Sequence, residues 1–580
     1  MHQQSRKKQS TRKKVPIAVE KRRIPVSIDD FKNIIEENYA YVDKTLFIQE
    51  LWESGADVSI IPRPRRFGKT VNMSTLRYFF EKSEKSNAHL FANLKIWQLP
   101  KYRKLQGTFP VIFLSLKGVK DALDWESAFN RIKLIISEEY SRHRYLFQSQ
   151  VLEPNEKQFF MDIINRTASM DEYSFSLKYL SKWLSRFHQS KVIILIDEYD
   201  SPIINAYMRG FYDPMLSFMR AWLGEGLKGN PHLERGVITG ILRVAKEDLF
   251  SSLNNPVTYT ILNEPFADKF GFLEEEVCAL LEEYGLTDKL EEMRKWYNGY
   301  RIGTSTVYNP WSVNNCLQRG GTVGAYWVNT GGTGLLDRLL LQGGTDLKGD
   351  LEEILAGHES IRLISEGTPL SSLDRDGSSV WNILLFSGYL TLAAPPVLEE
   401  GEVKCSLRIP NYEVDCLYKH IIKNWFYETI KEDGASIMLK SLLNGDIDTF
   451  ETIFNKFILE TMSYYDLSED EPEKIYHALV LGMLVFLRET HEIKSNRESG
   501  YGRYDVLVIP KNSKELGIVI EFKVFNSSQN KNLAAAAESG LKQIKEKKYS
   551  QELHQRGIKK VLAICMAFRG KQLFIKHKMV

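Results

Sequence analysis

Cysteine is scarce. Five occur in a chain of 580 residues, at Cys278, Cys316, Cys405, Cys416 and Cys565, scattered and never in C-x-x-C spacing. Such a set suggests neither a disulfide framework nor a zinc site, and it suits a reducing compartment. Long apolar runs are missing as well. The longest, Ala478 to Leu487, is too short to span a bilayer. The polar, basic N-terminus has no apolar h-region, so no secretory signal is expected. The expectation is a cytoplasmic chain with no membrane partner. Charge of one sign is also lacking over the whole, at +3 net, and the contents of 26% charged and 43% hydrophobic residues are ordinary for globular proteins. The length exceeds a single core and allows about three to five domains.

What charge imbalance exists is concentrated at one end. Between Met1 and Arg23 lie Arg6, Lys7, Lys8, Arg12, Lys13, Lys14, Lys21, Arg22 and Arg23 against the single acid Glu20. A disordered basic tail over residues 1–23 is expected. A nuclear address, if the host is eukaryotic, a nucleic-acid arm and simple solvation all fit it.

The rest of the chain is read around Ile60-Ile61-Pro62-Arg63-Pro64-Arg65-Arg66-Phe67-Gly68-Lys69-Thr70. An apolar strand (Val58 to Ile61) enters a basic turn ending in Gly-Lys-Thr, and helical apolar spacing follows (Val71, Leu76, Phe79, Phe80). This order makes a phosphate cradle. Gly68 lets backbone N–H groups approach the phosphates, Lys69 reaches the β and γ oxygens, Thr70 ligates Mg²⁺, and the helix N-terminus favours the anion. The general pattern wants glycine where this chain has Arg63, and a basic surface turn capping a helix is the competing reading.

Lys191 to Asp200 carries the complementary chemistry. Val192 to Ile196 is an unbroken aliphatic run, suited to a strand buried on both faces, with Asp197 and Glu198 at its C-terminal edge. There Asp197 would hold Mg²⁺ and Glu198 would polarise the attacking water of an ATP-hydrolysing enzyme. Pro110 to Leu116 and Gly236 to Ile241 are further strands. With the helical stretch Asp124 to His188 between them they predict a parallel α/β sheet. Thr239 could sense the γ-phosphate, and Arg243 is a weaker candidate for a charge-stabilising arginine.

Taken together, YAYVDKT (39–45), PRRFGKT (64–70), IDEYDSP (196–202), TGI (239–241), SSLNN (251–255), WYNGY (296–300), NPWSV (309–313), YWVNTG (326–331) and GYLTL (388–392) resemble the AAA-ATPase-like family of P-loop ATPases. The resemblance covers nearly everything from Ile24 onward. It implies ATP as ligand, a place for Arg66 in the nucleotide-binding set, and tolerance of arginine before FGK[ST]. It also implies a lid and winged-helix-like middle region and a fused C-terminal PD-(D/E)xK nuclease domain. The aromatic middle module is expected behind the ATPase core, with Trp296, Trp311 and Trp327 as core anchors.

The C-terminal region yields its own geometry. Tyr504 to Pro510 and Gly517 to Val524 are strands joined by a polar turn. A hairpin centred on Ser513 sets Asp505 opposite Glu521, with Lys523 on the same face. Two facing carboxylates are tolerated when a divalent cation lies between them, and Mg²⁺ suits oxygen ligands that also engage a phosphate. Lys523 would orient or activate water. This Asp…Glu-x-Lys set is similar to the PD-(D/E)xK core, and the resemblance implies that Gln543 faces the site from the following helix. Glu473 reads as a solvated helix acid and His477 as packing.

The expected architecture is therefore α/β: a P-loop domain over 24–285, a lid and winged-helix-like region over 286–400, a helical linker over 401–465 and a nuclease-like domain over 466–580. The expected function is ATP binding and hydrolysis coupled to a Mg²⁺-dependent nuclease-like domain acting on nucleic acid, DNA ahead of RNA. A nucleotide-switched scaffold with an inactive nuclease-like domain is the alternative, and homo-oligomerisation is left open.

Overall fold

The computed structural model describes residues 21–243, 256–330, 354, 359–367, 378–429, 432–461, 480, 483–484, 487, 490–499, 502–525, 532–569 and 572–580. The basic residues before Lys21, SSLNN, Glu473 and His477 lie outside them.

In the N-terminal region β1 (Val58–Pro62), β2 (Val111–Ser115), β3 (Val192–Asp197), β4 (Leu233–Gly240) and β5 (Pro256–Thr258) form one parallel sheet in the order β2-β3-β4-β1-β5. Every residue of β1 and β3 is buried, as expected of strands covered by helices on both faces. The expected helical stretch before β3 is present. Its longest member, Trp125–Arg142, starts at the capping box of Asp124 and Ser127.

The order matters for function because β4 lies between the strand feeding the phosphate turn and the strand carrying the acids. Ile61 pairs with Thr239 on one side and Ile196 with Ile238 on the other. Thr239 is thereby brought to the same edge as the turn and Asp197.

The middle region is smaller and antiparallel. β6 (Tyr300–Ile302) and β7 (Ser305–Val307) make a two-stranded ribbon. β8 (Ser360–Leu363), β9 (Thr391–Leu392), β10 (Val397–Glu399) and β11 (Glu402–Arg408) form a second sheet. The hairpin β10–β11 turns at Glu400 and Gly401, both at positive φ. The boundary expected between 400 and 401 thus falls within a hairpin, and the sheet continues across it.

The helices Tyr412–Thr429, Glu432–Asn444 and Ile447–Thr461 follow, with Gly445 in the turn between the last two. In the C-terminal sheet the order is β12 (His491–Ser499), β13 (Gly502–Pro510), β14 (Gly517–Val524), β15 (Val561–Arg569), β16 (Gln572–Met579). Pairing is antiparallel except between β14 and β15. Helix Leu533–Lys547 packs on β14 to β16. Among the described residues no helix is long and apolar enough to cross a membrane.

The tail expected to run to Arg23 is engaged before that point. Lys21 Nζ donates to Tyr284 O at 2.7 Å, Arg22 Nε donates to Glu283 at 2.8 Å, and Arg23 O accepts from Ala40 N. These three basic residues belong to the folded domain because the glutamate-rich helix Glu274–Tyr284 gives Lys21 and Arg22 partners, and Glu37 and Ala40 hold Arg23.

Candidate nucleotide site and candidate nuclease site

The chain leaves β1 at Pro62, turns through Arg63 to Gly68 and enters the helix Lys69–Phe80, here called the phosphate helix. Gly68 caps that helix at φ 82 with nothing within 4 Å of where a Cβ would stand. Glycine is therefore required by the left-handed backbone and not by lack of room.

Lys69 is 7% exposed and donates to the carbonyls of Arg63, at 3.0 Å, and Pro64, at 2.8 Å. Its ammonium lies in the turn where phosphate oxygens would replace those carbonyls. Burial lowers its pKa, opposed by Glu198, Asp197 and Asp200.

Thr70 Oγ1 donates to Asp197 Oδ2 at 2.8 Å. A hydroxyl and a carboxylate in contact at the head of the turn are hard oxygen donors, and they fit the requirements of Mg²⁺. Asp197 is 1% exposed, and burial pushes its carboxyl up to about 6 against the lowering effect of the Thr70 bond. Glu198 follows at φ 53, its carboxylate accepting from Ser201 Oγ at 3.1 Å. That left-handed backbone turns the glutamate out of the strand direction beside Asp197. Thr239 is 1% exposed, and its Oγ1 has no hydrogen-bond partner. Arg243, by contrast, is taken up by Glu366 at 3.0 Å.

Two residues of this region escaped the sequence reading. Arg63 is fully buried and donates to the carbonyls of Pro62, Tyr259 and Phe266, with its guanidinium over the Phe270 ring. Desolvation drops its pKa to about 9. The residue at the missing-glycine position thus ties the turn to the segment after β5 and leaves the cradle to the backbone. Asp200 Oδ2 accepts from Ile241 N and Leu242 N, both at 2.8 Å, joining the end of the acidic segment to the end of β4.

The aromatic module does not sit behind the ATPase core as expected, because it covers the phosphate turn itself. Trp327 Nε1 donates to Arg65 O at 3.1 Å, the Arg66 guanidinium lies 4.2 Å from the Trp311 ring centroid, and Phe67 meets Tyr300 edge-on at 4.9 Å. Gly388, from GYLTL, comes so close to Pro64 that a Cβ would stand 2.9 Å from the proline Cβ. These contacts join residues hundreds of positions apart, which no local periodicity reveals. Of the three tryptophans, Trp327 is buried, whereas Trp296 and Trp311 are half-buried.

In the C-terminal sheet β13 and β14 adopt the expected register, Val506 with Ile520, Leu507 with Val519 and Val508 with Ile518. The ladder ends there, and the next donor, Phe522 N, goes to Asp505 Oδ2 at 2.7 Å. Asp505 and Glu521 are therefore neighbours at the point where the strands part. Glu521 is 2% exposed and accepts from Lys523 Nζ at 3.0 Å and from Gln543 Nε2. Gln543 also donates to Tyr549 OH at 3.2 Å.

Gly540 explains how the helix brings Gln543 so near. A Cβ there would lie 2.2 Å from Cys565 Sγ, so only glycine permits this approach to β15. The sequence-predicted set Asp505, Glu521, Lys523 and Gln543 is thus gathered at one place. Its paired carboxylates have the donor chemistry that Mg²⁺ takes.

Residues 25–250 match the family model described as predicted AAA-ATPase, and residues 471–578 match that of the PD-(D/E)XK nuclease superfamily. A protein of Azotobacter chroococcum mcd 1, described as an uncharacterized protein in the vnfD 5'region, is 25% identical over 559 residues, which cover 93% of this chain and 95% of that protein. Matched region by region, the chain carries an AAA-ATPase-like domain followed at its C-terminus by a PD-(D/E)XK nuclease superfamily domain.

Proposed function

We propose that this chain binds and hydrolyses ATP at the phosphate turn and cleaves a nucleic-acid phosphodiester at the Asp505, Glu521 and Lys523 cluster, both with Mg²⁺. The observation that carries the first half is the convergence of Lys69, Thr70 and Asp197, the Thr70 to Asp197 bond being 2.8 Å. Mg²⁺ held by Thr70 and Asp197 would offset phosphate charge. Lys69 would move from the turn carbonyls to the phosphate oxygens, and Glu198 would accept the proton of the attacking water.

At the second site the carboxylates of Asp505 and Glu521 would hold the ion. Lys523 would orient the water, and Gln543 fixes the rotamer of Glu521. DNA is the preferred substrate in this reading, with RNA the other arm of any test.

The test of the nucleotide half uses the full chain. Lys69→Ala removes the charge on the phosphates and should abolish ATP binding in a calorimetric titration. Glu198→Gln should bind ATP as the wild type does and turn it over at least ~100-fold more slowly. Equal turnover by wild type and Glu198→Gln overturns the role given to Glu198.

A further inference from the structure

The arginine that serves the phosphoryl-transfer step has to be one whose charge is still available, and Arg243 is engaged by Glu366. Arg66 differs in three respects. Its φ of 64 is left-handed for a residue that carries a Cβ, a conformation that persists only where the surroundings impose it. The Trp311 ring lies against its guanidinium at 4.2 Å, and that ring is itself fixed by Nε1 donating to Tyr326 O at 3.1 Å. The opposing charges that act on it are Glu198, the proposed water-polarising carboxylate, and Asp29. Arg66 is therefore an exposed cation on the phosphate turn, within the field of Glu198 and clamped by a ring from another part of the chain.

We propose that Arg66 supplies the charge that stabilises the transferred phosphoryl group, and that Trp311 is the positioning residue that holds it there. The inference rests on the ATPase reading and deepens it. In the step concerned, a water oxygen bonds to the γ-phosphorus while its proton passes to Glu198. The bond from that phosphorus to the β–γ bridging oxygen breaks, and ADP leaves with the electron pair. Arg66 exchanges no proton and acts by charge alone.

Because Trp311 belongs to the aromatic module, hydrolysis then depends on how that module is seated. The seating is fixed by the buried Glu413, which accepts from Ser312 Oγ at 2.7 Å and from Trp327 N. Arg66 acts in this proposal on the γ-phosphoryl group, which ADP lacks, so Mg²⁺-ADP affinity does not share this dependence.

The experiment measures steady-state ATP hydrolysis and Mg²⁺-ADP affinity on the full chain for wild type, Arg66→Ala, Trp311→Phe, Trp311→Leu and the double variant Arg66→Ala with Trp311→Leu. Leucine keeps apolar volume without a π face, whereas phenylalanine keeps the face. Expected are a fall in kcat of about 100-fold or more for Arg66→Ala and about tenfold for Trp311→Leu, near-wild-type kcat for Trp311→Phe, and ADP affinity within about threefold throughout. The double variant should be no slower than Arg66→Ala alone. Equal kcat for Trp311→Leu and Trp311→Phe, or ADP affinity falling in step with kcat, overturns the positioning role, and unchanged kcat in Arg66→Ala overturns the whole inference. A wild type that binds ADP without turning over ATP overturns the ATPase reading itself.

Discussion

Asp197 gives the proposed nucleotide site a pH signature of definite sign. Its carboxyl is held at about 6 by burial, above its ordinary 3.8. Between those values the folded protein keeps a proton that the unfolded chain releases, so stability falls as pH rises through the window. Above it the buried charge costs on the order of 3 kcal/mol in the metal-free protein. Asp197→Asn should therefore raise the urea midpoint at pH 7.5 and raise it much less at pH 5. Mg²⁺ needs the deprotonated form, so Mg²⁺-ATP affinity of the wild type should weaken about tenfold per pH unit below 6. A pH-independent affinity in titrations from pH 5 to 8 counts against Asp197 as the metal ligand.

At the scale of elements, the phosphate helix, the acidic strand and the β13–β14 hairpin were all legible in the sequence, because each is announced by local chemistry. Gly-Lys-Thr after an aliphatic strand, two acids ending a buried run, and a turn about which Asp505 and Glu521 are symmetric require only neighbours in the chain. Contacts made at long range were not legible. Arg63 reads as a defect in a glycine pattern until the carbonyls of Tyr259 and Phe266 are seen around its guanidinium. Trp311 and Trp327 read as core aromatics, which they partly are, and nothing in NPWSV or YWVNTG says which surface they cover. The placement of β4 between β1 and β3, which brings Thr239 to the site, is likewise a property of the sheet.

The packing of helix Leu533–Lys547 against β15 yields a prediction at this scale. Gly540→Ala should destabilise the C-terminal domain by about 1–3 kcal/mol, since the new methyl meets Cys565 Sγ. Adding Cys565→Ala removes that sulfur and should restore much of the loss. Denaturant midpoints of the single and double variants check it, and additive losses would show that the sulfur is not the obstacle.

Across the whole molecule, the segment expected as a linker is engaged at both ends. Glu413, at the start of Tyr412–Thr429, binds Ser312 and the backbone of Trp327 beside the phosphate turn. In Ile447–Thr461, Asn455 accepts from Leu573 N at 3.3 Å and Glu451 accepts from Ile575 N at 2.8 Å, closing the β16 edge of the nuclease-like sheet. Among the described residues the largest cluster of buried apolar side chains has members from Phe31 to Ile575, with smaller clusters beside it. The two sites nevertheless use separate residues, so each should be removable without the other.

The part of the proposed function most exposed to test is that a working metal-dependent nuclease shares the chain with an ATP-hydrolysing site. Its most direct measurement incubates the full chain with end-labelled single- and double-stranded DNA and RNA, with and without ATP and Mg²⁺, beside Asp505→Asn, Glu521→Gln and Lys523→Ala. Expected is Mg²⁺-dependent cleavage by the wild type, lost at least ~100-fold in all three variants, with ATP hydrolysis retained in each and Mg²⁺ binding kept only in Lys523→Ala. Cleavage indifferent to both carboxylate changes, or ATP hydrolysis with no cleavage of any substrate under any condition, would contradict it.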